Sequence, residues 1–331
     1  MARLHFLNVK NGDCIIIEHN SKHVTVVDVS NGNGKQEERF EEAVEKASIS
    51  GRVKGNFGCC DHPTNPIDFL NKTLSISDIF RFILTHPDMD HMDGIGNLFN
   101  NFSVSNFWDN GLRREKPDFS DKNGRYKESD WDKYEDIINK KVSGLTVISP
   151  LAGSRAKYFN MTEEEKPGGD GLYIISPNKK LVDQANETED PNDGSYVLVY
   201  RSAGGKIVIA GDSHDETWKY ILENHRDDIE DVSVLIAPHH GRDSDREYDF
   251  LDIMNPKYTL FGCAPSKDQG YSAWRNRSLD YNTNNQCGNF TLDIQDKYID
   301  IYIENAKFIE SSQGDLNKVN ENGLYFLKKI H

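Results

Sequence analysis

The run His86-Pro87-Asp88-Met89-Asp90-His91 decides how the rest of this chain is read. It follows Ile79-Phe80-Arg81-Phe82-Ile83-Leu84-Thr85, an apolar, β-branched and aromatic stretch with the pattern of a buried strand. Met92-Asp93-Gly94-Ile95-Gly96-Asn97-Leu98-Phe99 behind it reads as the first turns of a helix. Potential metal ligands thus crowd one turn at the carboxyl end of a strand. Carboxylates this close repel one another, and partial burial raises the cost. A divalent cation converts that repulsion into binding energy. A plain Asp-rich surface turn is the alternative, and the length and order of the run weigh against it.

Other pieces extend the pattern along the chain. Phe6-Leu7-Asn8-Val9-Lys10-Asn11-Gly12-Asp13-Cys14 reads as a strand and a Gly-Asp turn, and Val26-Val27-Asp28-Val29-Ser30 as a strand ending in Asp. Ile207-Val208-Ile209-Ala210-Gly211-Asp212-Ser213 repeats that form, and Leu235-Ile236-Ala237-Pro238-His239-His240-Gly241 ends a strand in a histidine pair. In this order the pieces resemble the metallo-β-lactamase fold. The hexapeptide is similar to its His-x-His-x-Asp-His signature, with Asp88 in place of the second His. That Asp form resembles the hydrolase domain of the ComEC/Rec2 competence proteins and their stand-alone relatives.

The resemblance runs over roughly residues 3 to 300. It implies an α/β fold, an αββα sandwich of two mixed β-sheets flanked by helices with loop insertions, as a single domain over 1–331. It also implies two divalent metal ions, Zn²⁺ or Mn²⁺ with Mg²⁺ as a third option. His86 and Asp88 would hold one ion, and Asp90, His91 and a histidine of the 239–240 pair the other, with Asp212 bridging. Neighbouring residues on an extended chain point to opposite sides, so one of the pair ligates and the other supports or meets substrate. The choice leans to His239 as the ligand, leaving His240 with Asp90 and Asp212 as the catalytic groups.

The family's further metal-binding His has no counterpart, since no histidine occurs from 92 to 213. Pro191-Asn192-Asp193-Gly194-Ser195-Tyr196-Val197-Leu198 is similar to the turn that stands there in ComEC-like proteins, which makes Asp193 or Asn192 the candidate ligand. A plain hairpin turn is the competing reading. Exchanging imidazole for oxygen ligands moves such a site toward harder ions. Asp28 is a candidate to orient a ligand histidine from behind, or simply a strand-end residue. His214, two residues beyond Asp212, could approach the site, but a helix-capping or solvent role is preferred. His62, in Cys59-Cys60-Asp61-His62, lacks a fourth partner for a second metal.

Arg242 and Ser244 lie close to the candidate ligands in sequence. Further on, Trp274, Arg275, Arg277 and Asn284 lie in a stretch that sets two arginines beside the aromatics Tyr271 and Trp274, which suits a phosphate and a stacked base. Ordinary surface salt bridges explain the arginines equally well.

Length and composition narrow the function classes. At 331 residues the chain is one large domain or two ordinary ones, and candidate ligands on both sides of position 170 favour one core. No apolar stretch approaches the roughly 20 residues of a membrane helix, and no signal-peptide core opens the chain. Five cysteines without paired zinc-finger spacing read as reduced thiols, and the expected location is the cytoplasm. A net charge of −15 argues against broad affinity for nucleic acid, which needs phosphate-neutralising cations.

Strands are expected at 2–9, 12–19, 22–29, 172–176, 195–201, 206–211 and 257–261, with a hairpin over 290–303. Helices are expected at Glu37–Lys46 and near 66–74, 129–141, 215–225 and 248–254. Residues 100–170 read as an insertion over the site mouth, and the tail from about 311 as polar with one edge strand. The function that follows is a metal-dependent hydrolase. The phosphodiesterase or nuclease form, with DNA or a nucleotide as substrate and no membrane partner, rests on the resemblance. A hydrolase of a small ester, lactone or cyclic nucleotide is the second reading, and a metal-holding scaffold without turnover the third.

Overall fold

Short period-two apolar runs open the molecule as β1 (Ala2–Phe6), β2 (Ile15–Glu18) and β3 (Val24–Val27), each antiparallel to the one before. β4 (Asp78–Ile83), β5 (Ser103–Trp108) and β6 (Thr146–Ile148) then add in parallel beside β3. The second half lays down β7 (Leu172–Ser176), β8 (Val197–Ser202) and β9 (Gly205–Ile209) as an antiparallel meander. β10 (Val232–Ile236), β11 (Tyr258–Phe261) and β12 (Tyr281–Thr283) extend it in parallel. β13 (Phe290–Ile294), β14 (Ile299–Ile303), β15 (Asp315–Val319) and β16 (Tyr325–Ile330) return to the first sheet. The computed structural model describes residues 1–34, 57–121 and 124–331.

The sheets are mixed, ordered β15-β16-β14-β13-β1-β2-β3-β4-β5-β6 and β12-β11-β10-β9-β8-β7. Alternation decides which residues face inward. Ile15, Ile17 and Val27 meet Leu198, Ile207 and Ile209 between the sheets, while Ile16, Val26 and Val208 turn outward. α1 (Ile95–Asn101) and α2 (Glu128–Ile138) cover the outer face of the first sheet with Ile95, Leu98, Trp131 and Ile137. Of the helices that follow, α3 (Lys179–Thr188) packs Val182 and Ala185 on Leu112. α4 (Asp215–Asn224), α5 (Asp249–Met254) and α6 (Tyr271–Asn276) bury Trp218, Phe250 and Trp274 on the second sheet. Each large apolar side chain so buried contributes about 1.5–3 kcal/mol. The result is an αββα sandwich, as the sequence resemblance implies.

Several expectations are refined. The helix expected at Glu37–Lys46 lies outside the described residues. Residues 100–170 are not wholly peripheral, because β5 and β6 pair within the first sheet. The tail makes two strands rather than one, with β16 paired to β14. The cysteines also need correction. Cys60 and Cys263 form a disulfide with Cα atoms 6.0 Å apart, while Cys14, Cys59 and Cys287 are free and buried. That spacing is ordinary for a disulfide, but two residues 203 positions apart meet only through the fold. Among the described residues no helix is long and apolar enough to cross a membrane.

The carboxyl ends of β3, β4, β9 and β10 carry, in turn, Asp28, the 85–91 segment, Asp212 and the 238–241 turn. In α/β sheets this is the edge where ligands bind.

Candidate metal centre

Asp28 follows β3 in a left-handed conformation (φ 58°) and organises the hexapeptide from behind. Its carboxylate accepts from Thr85 N at 2.7 Å, Thr85 Oγ1 at 2.6 Å and His91 Nδ1 at 2.8 Å. Across the site, Asp13 Oδ1 accepts from His240 Nδ1 at 2.9 Å. Gly12 lets the Asp13 turn press on the hexapeptide: a Cβ there would lie 1.7 Å from the Asp90 carbonyl oxygen. Gly211, at φ 51°, does the same for Asp212, since a Cβ would fall 2.5 Å from Ser195 Oγ.

A carboxylate on Nδ1 holds an imidazole with its Nε2 lone pair free, the usual arrangement behind a metal-bound histidine. His91 Nε2 and His240 Nε2 both point at Asp212, at 3.4 Å from Oδ1 and 3.4 Å from Oδ2 respectively. His240 Nε2 is also 3.6 Å from Asp90 Oδ2. His86 Nε2 approaches Asp88 Oδ2 at 3.8 Å and Asp212 Oδ2 at 3.9 Å. Most of these separations exceed a hydrogen bond. They suit donors sharing an ion, because tetrahedral ligands at about 2.0–2.1 Å stand roughly 3.3 Å apart. His91 Nε2, His240 Nε2 and Asp212 Oδ1 are buried without a hydrogen-bond partner. Unpaired buried polar atoms cost about 1–3 kcal/mol each, and three gathered around one carboxylate fit a site for cations. The donor sets that could hold one are His86/His91/Asp212, Asp90/His91/His240 and Asp13/Asp212/His240. Asp13, already bonded to the far nitrogen of His240, supports that ring.

Electrostatics say the same. Burial works against charging His91 and His240, but Asp212, with Asp28 and Asp13 respectively, outweighs it and pushes both well above the usual imidazole value. Burial would raise Asp90 and Asp212, yet His240 and His91 hold both carboxylates below the usual range. The rings and the carboxylates thus stabilise each other's charged forms, and a cation bound there would take the place of the ring protons. His239 differs: burial chiefly, with His240, Arg246 and His214 adding, lowers it to about 3 against the pull of Asp212.

The structure brings His86, Asp88, Asp90, His91, Asp212 and both histidines of the pair to one place, and it revises how the pair works. Residues 239 and 240 are not extended. Both are left-handed, at φ 51° and 57°, so they turn together and both Nε2 atoms approach Asp212. His240, not His239, joins the donor clusters. Asp193 joins none of the donor clusters: its Oδ1 accepts from Glu216 N at 3.1 Å, capping the start of α4. Ser195 from the same turn comes nearer, with Oγ 3.5 Å from His86 Nδ1. His214 precedes α4 as expected, but offers no side-chain cap bond.

The candidate substrate residues divide. Arg242 and Ser244 lie in the turn after His240, Arg242 with a buried, unpartnered Nε and Ser244 Oγ 3.0 Å from His239 Nδ1. Trp274, Arg275, Arg277 and Asn284 are engaged with other partners. Trp274 is core, its Nε1 donating to Thr259 Oγ1 at 2.9 Å. Arg277 grips Asp252 at 2.7 and 2.8 Å, and Arg275 donates to Tyr281 Oη at 3.0 Å. Asn284 Nδ2 donates to Gly288 O at 2.8 Å. The α6 face, with the composition of a stacking platform, packs instead on the second sheet.

Sequence reasoning misses two arginines and one carboxylate. Arg114, in the loop after β5, pairs with Asp88. Arg246 is buried and donates to Ser213 O at 2.7 Å and His239 Nδ1 at 3.2 Å. Asp13 stands in the Gly-Asp turn after β1, but its role needs the contact across 227 positions. No local pattern marks either arginine.

No protein-family model matches the chain, and no curated protein does. Among solved structures it is similar to Igni18, a metallo hydrolase from Ignicoccus hospitalis, at 13% identity over 88% of this chain and 100% of that one, TM-score 0.45. It is similar to Tm1679, a metal-dependent hydrolase of the β-lactamase superfamily, at 15% identity over 89% and 100%, TM-score 0.44. A diphosphatase from the PhnP family matches at 10% identity over 89% and 98%, TM-score 0.42.

Proposed function

We propose that the protein is a metal-dependent hydrolase of phosphodiesters, with a nucleotide or DNA strand as the substrate class. The observation that carries the metal reading is that buried, unpartnered His91 Nε2 and His240 Nε2 each lie 3.4 Å from a carboxylate oxygen of Asp212, whose Oδ1 is also unpartnered. Asp90, His91 and His240 would hold one divalent ion and His86 and Asp88 a second, with Asp212 between them. Two ions so placed would supply an activated water and neutralise charge on the reacting ester. Zn²⁺ and Mn²⁺ both suit a mixed imidazole and carboxylate set, with Mg²⁺ a weaker fit.

The remaining work falls to the chain itself. Asp28 and Asp13 fix the His91 and His240 rings, and Ser195 Oγ meets the backbone N–H of Asp212 at 3.2 Å. Arg114, paired with the outer carboxylate Asp88, would meet a substrate's negative charge, and Arg242, in the turn after His240, is the second candidate. A guanidinium fork matches phosphate oxygens better than it matches a neutral ester. The preference for phosphodiesters also leans on the sequence resemblance to ComEC-type domains. The net charge of −15 favours a short substrate over long duplex, and keeps a small ester or cyclic nucleotide as the second reading.

A screen decides between them. Protein loaded with Zn²⁺, Mn²⁺ or Mg²⁺ is incubated with single-stranded DNA, duplex DNA, RNA, cyclic nucleotides, bis(p-nitrophenyl) phosphate, a lactone and a lactam. Cleavage of phosphodiesters, abolished by chelation, is expected. Turnover confined to the lactone or lactam would replace this reading.

A further inference from the structure

The two histidines of the 239–240 turn meet Asp212 with opposite chemistry at their other nitrogen. His240 Nδ1 lies against a carboxylate, Asp13, which can only accept, so the ring proton sits on Nδ1 and Nε2 keeps its lone pair. His239 Nδ1 lies 3.2 Å from Arg246, whose guanidinium can only donate. Ser244 Oγ adds a second potential donor at 3.0 Å. The Nδ1 lone pair of His239 is therefore taken, and its proton must sit on Nε2.

Arg246 is well placed to impose this. It is 5% exposed and anchored to the Ser213 carbonyl at 2.7 Å, next to Asp212. An Nε2–H cannot ligate a cation, although it stands 3.6 Å from Asp212 Oδ2 at the edge of the cluster. His239 is also the most open of the site histidines, with its side chain 20% exposed against 2% or less for His86, His91 and His240.

We infer that His239 stays outside the metal shell and acts as a catalytic hydrogen-bond donor, presenting Nε2–H to a substrate oxygen beside Asp212, with Arg246 as the positioning residue that holds this tautomer. The inference rests on the hydrolase reading for its substrate but not for its geometry. It assigns the pair distinct tasks: His240 completes the donor set, and His239 meets the oxyanion.

The test uses the full chain loaded with Zn²⁺. Long-range ¹⁵N spectra of the wild type should show His239 protonated at Nε2, with Nδ1 as the acceptor. Elemental analysis should find the zinc content of His239→Ala equal to wild type, whereas His240→Ala loses an ion. Inorganic phosphate should bind His239→Ala about tenfold or more weakly by calorimetry, as expected for a lost hydrogen bond to a charged group. kcat for bis(p-nitrophenyl) phosphate should fall about a hundredfold. His239→Gln, whose amide N–H can donate from a similar place, should recover part of both losses. A His239 nitrogen ligated to zinc, or zinc lost from His239→Ala, overturns the inference, as does unchanged phosphate affinity. A wild type that binds zinc and phosphate but cleaves no phosphodiester defeats the functional reading alone. The spectra, metal content and phosphate binding still decide the place of His239.

Discussion

Two regions of this molecule set histidines beside buried carboxylates, and only one of them gathers several unpartnered atoms around a single carboxylate. Toward the 19–23 turn, Asp170 accepts from Arg81 at 2.8 Å, His23 at 2.9 Å and Ser21 at 2.6 Å. Arg81 also donates to Thr25 Oγ1 at 3.0 Å, and the pair is almost fully buried. The charge of Asp170 is met by the protein's own cation. At the other end of the same strands, Asp212, Asp90, His91 and His240 converge on atoms that nothing in the chain satisfies. Buried polar residues alone therefore do not mark function. A shared point that the protein leaves without a partner does.

That contrast can be broken most forcefully at the ligands. His91→Ala or Asp90→Ala should lower activity by far more than the hundredfold typical of losing a supporting partner. Metal content should fall while circular dichroism shows a folded chain. Full activity in either metal-replete variant would remove the site.

The closed cluster should respond in the opposite currency. Asp170→Asn leaves Arg81 buried without its counter-charge, which should cost about 3–5 kcal/mol of stability in urea unfolding. Activity per folded molecule should stay at the wild-type level. The same pair sets a pH dependence. Burial tends to raise Asp170, but His19 and Arg81 overcome it and hold the carboxyl below its ordinary value. A carboxyl depressed on folding contributes fully above the unfolded value of about 3.9 and loses that contribution as pH falls through the lower folded value. Acid unfolding of Asp170→Asn should lack that component, and matching acid-stability slopes in the two proteins would contradict this account.

Asp13→Asn sharpens the comparison from inside the open site. The ring of His240 loses the carboxylate that orients it, so metal affinity or activity should drop about 10–100-fold without loss of fold. Competition with a chromogenic chelator reads that drop, and wild-type affinity would argue that Asp13 only packs. Smallest of all is Arg277→Ala. Its exposed pair with Asp252 should contribute less than about 1 kcal/mol, and turnover should not change, because the residue is engaged with that partner. A marked kinetic defect there would restore Arg277 to the substrate surface.

Much of the site is legible in the order of the amino acids. Potential ligands close in sequence after a strand, and Asp or His at the ends of three other strands, follow from local pattern alone. Strand alternation likewise places the inner faces of β2, β3 and β9. What fails are the readings of segments whose side chains find their partners elsewhere in the chain. Asp193 stands in a turn of the expected composition, yet its carboxylate caps α4. Trp274 and Arg277 have the chemistry of a nucleotide platform, but a helical face spends its aromatic residue on the nearest sheet.

The sequence by itself determined most of the elements, the ligand types and their attachment to strand ends, because period-two burial and residue chemistry are local properties. Only the tertiary structure decided which nitrogen of each histidine is free. That depends on partners brought from far along the chain, Asp28 for His91 and Asp13 for His240, 63 and 227 positions away. The backbone turn at 239–240 likewise cannot be inferred from an apolar run that predicts extended chain. Its two left-handed residues aim both rings at Asp212, and the Arg246 donor and Asp13 acceptor behind them make the rings chemically different.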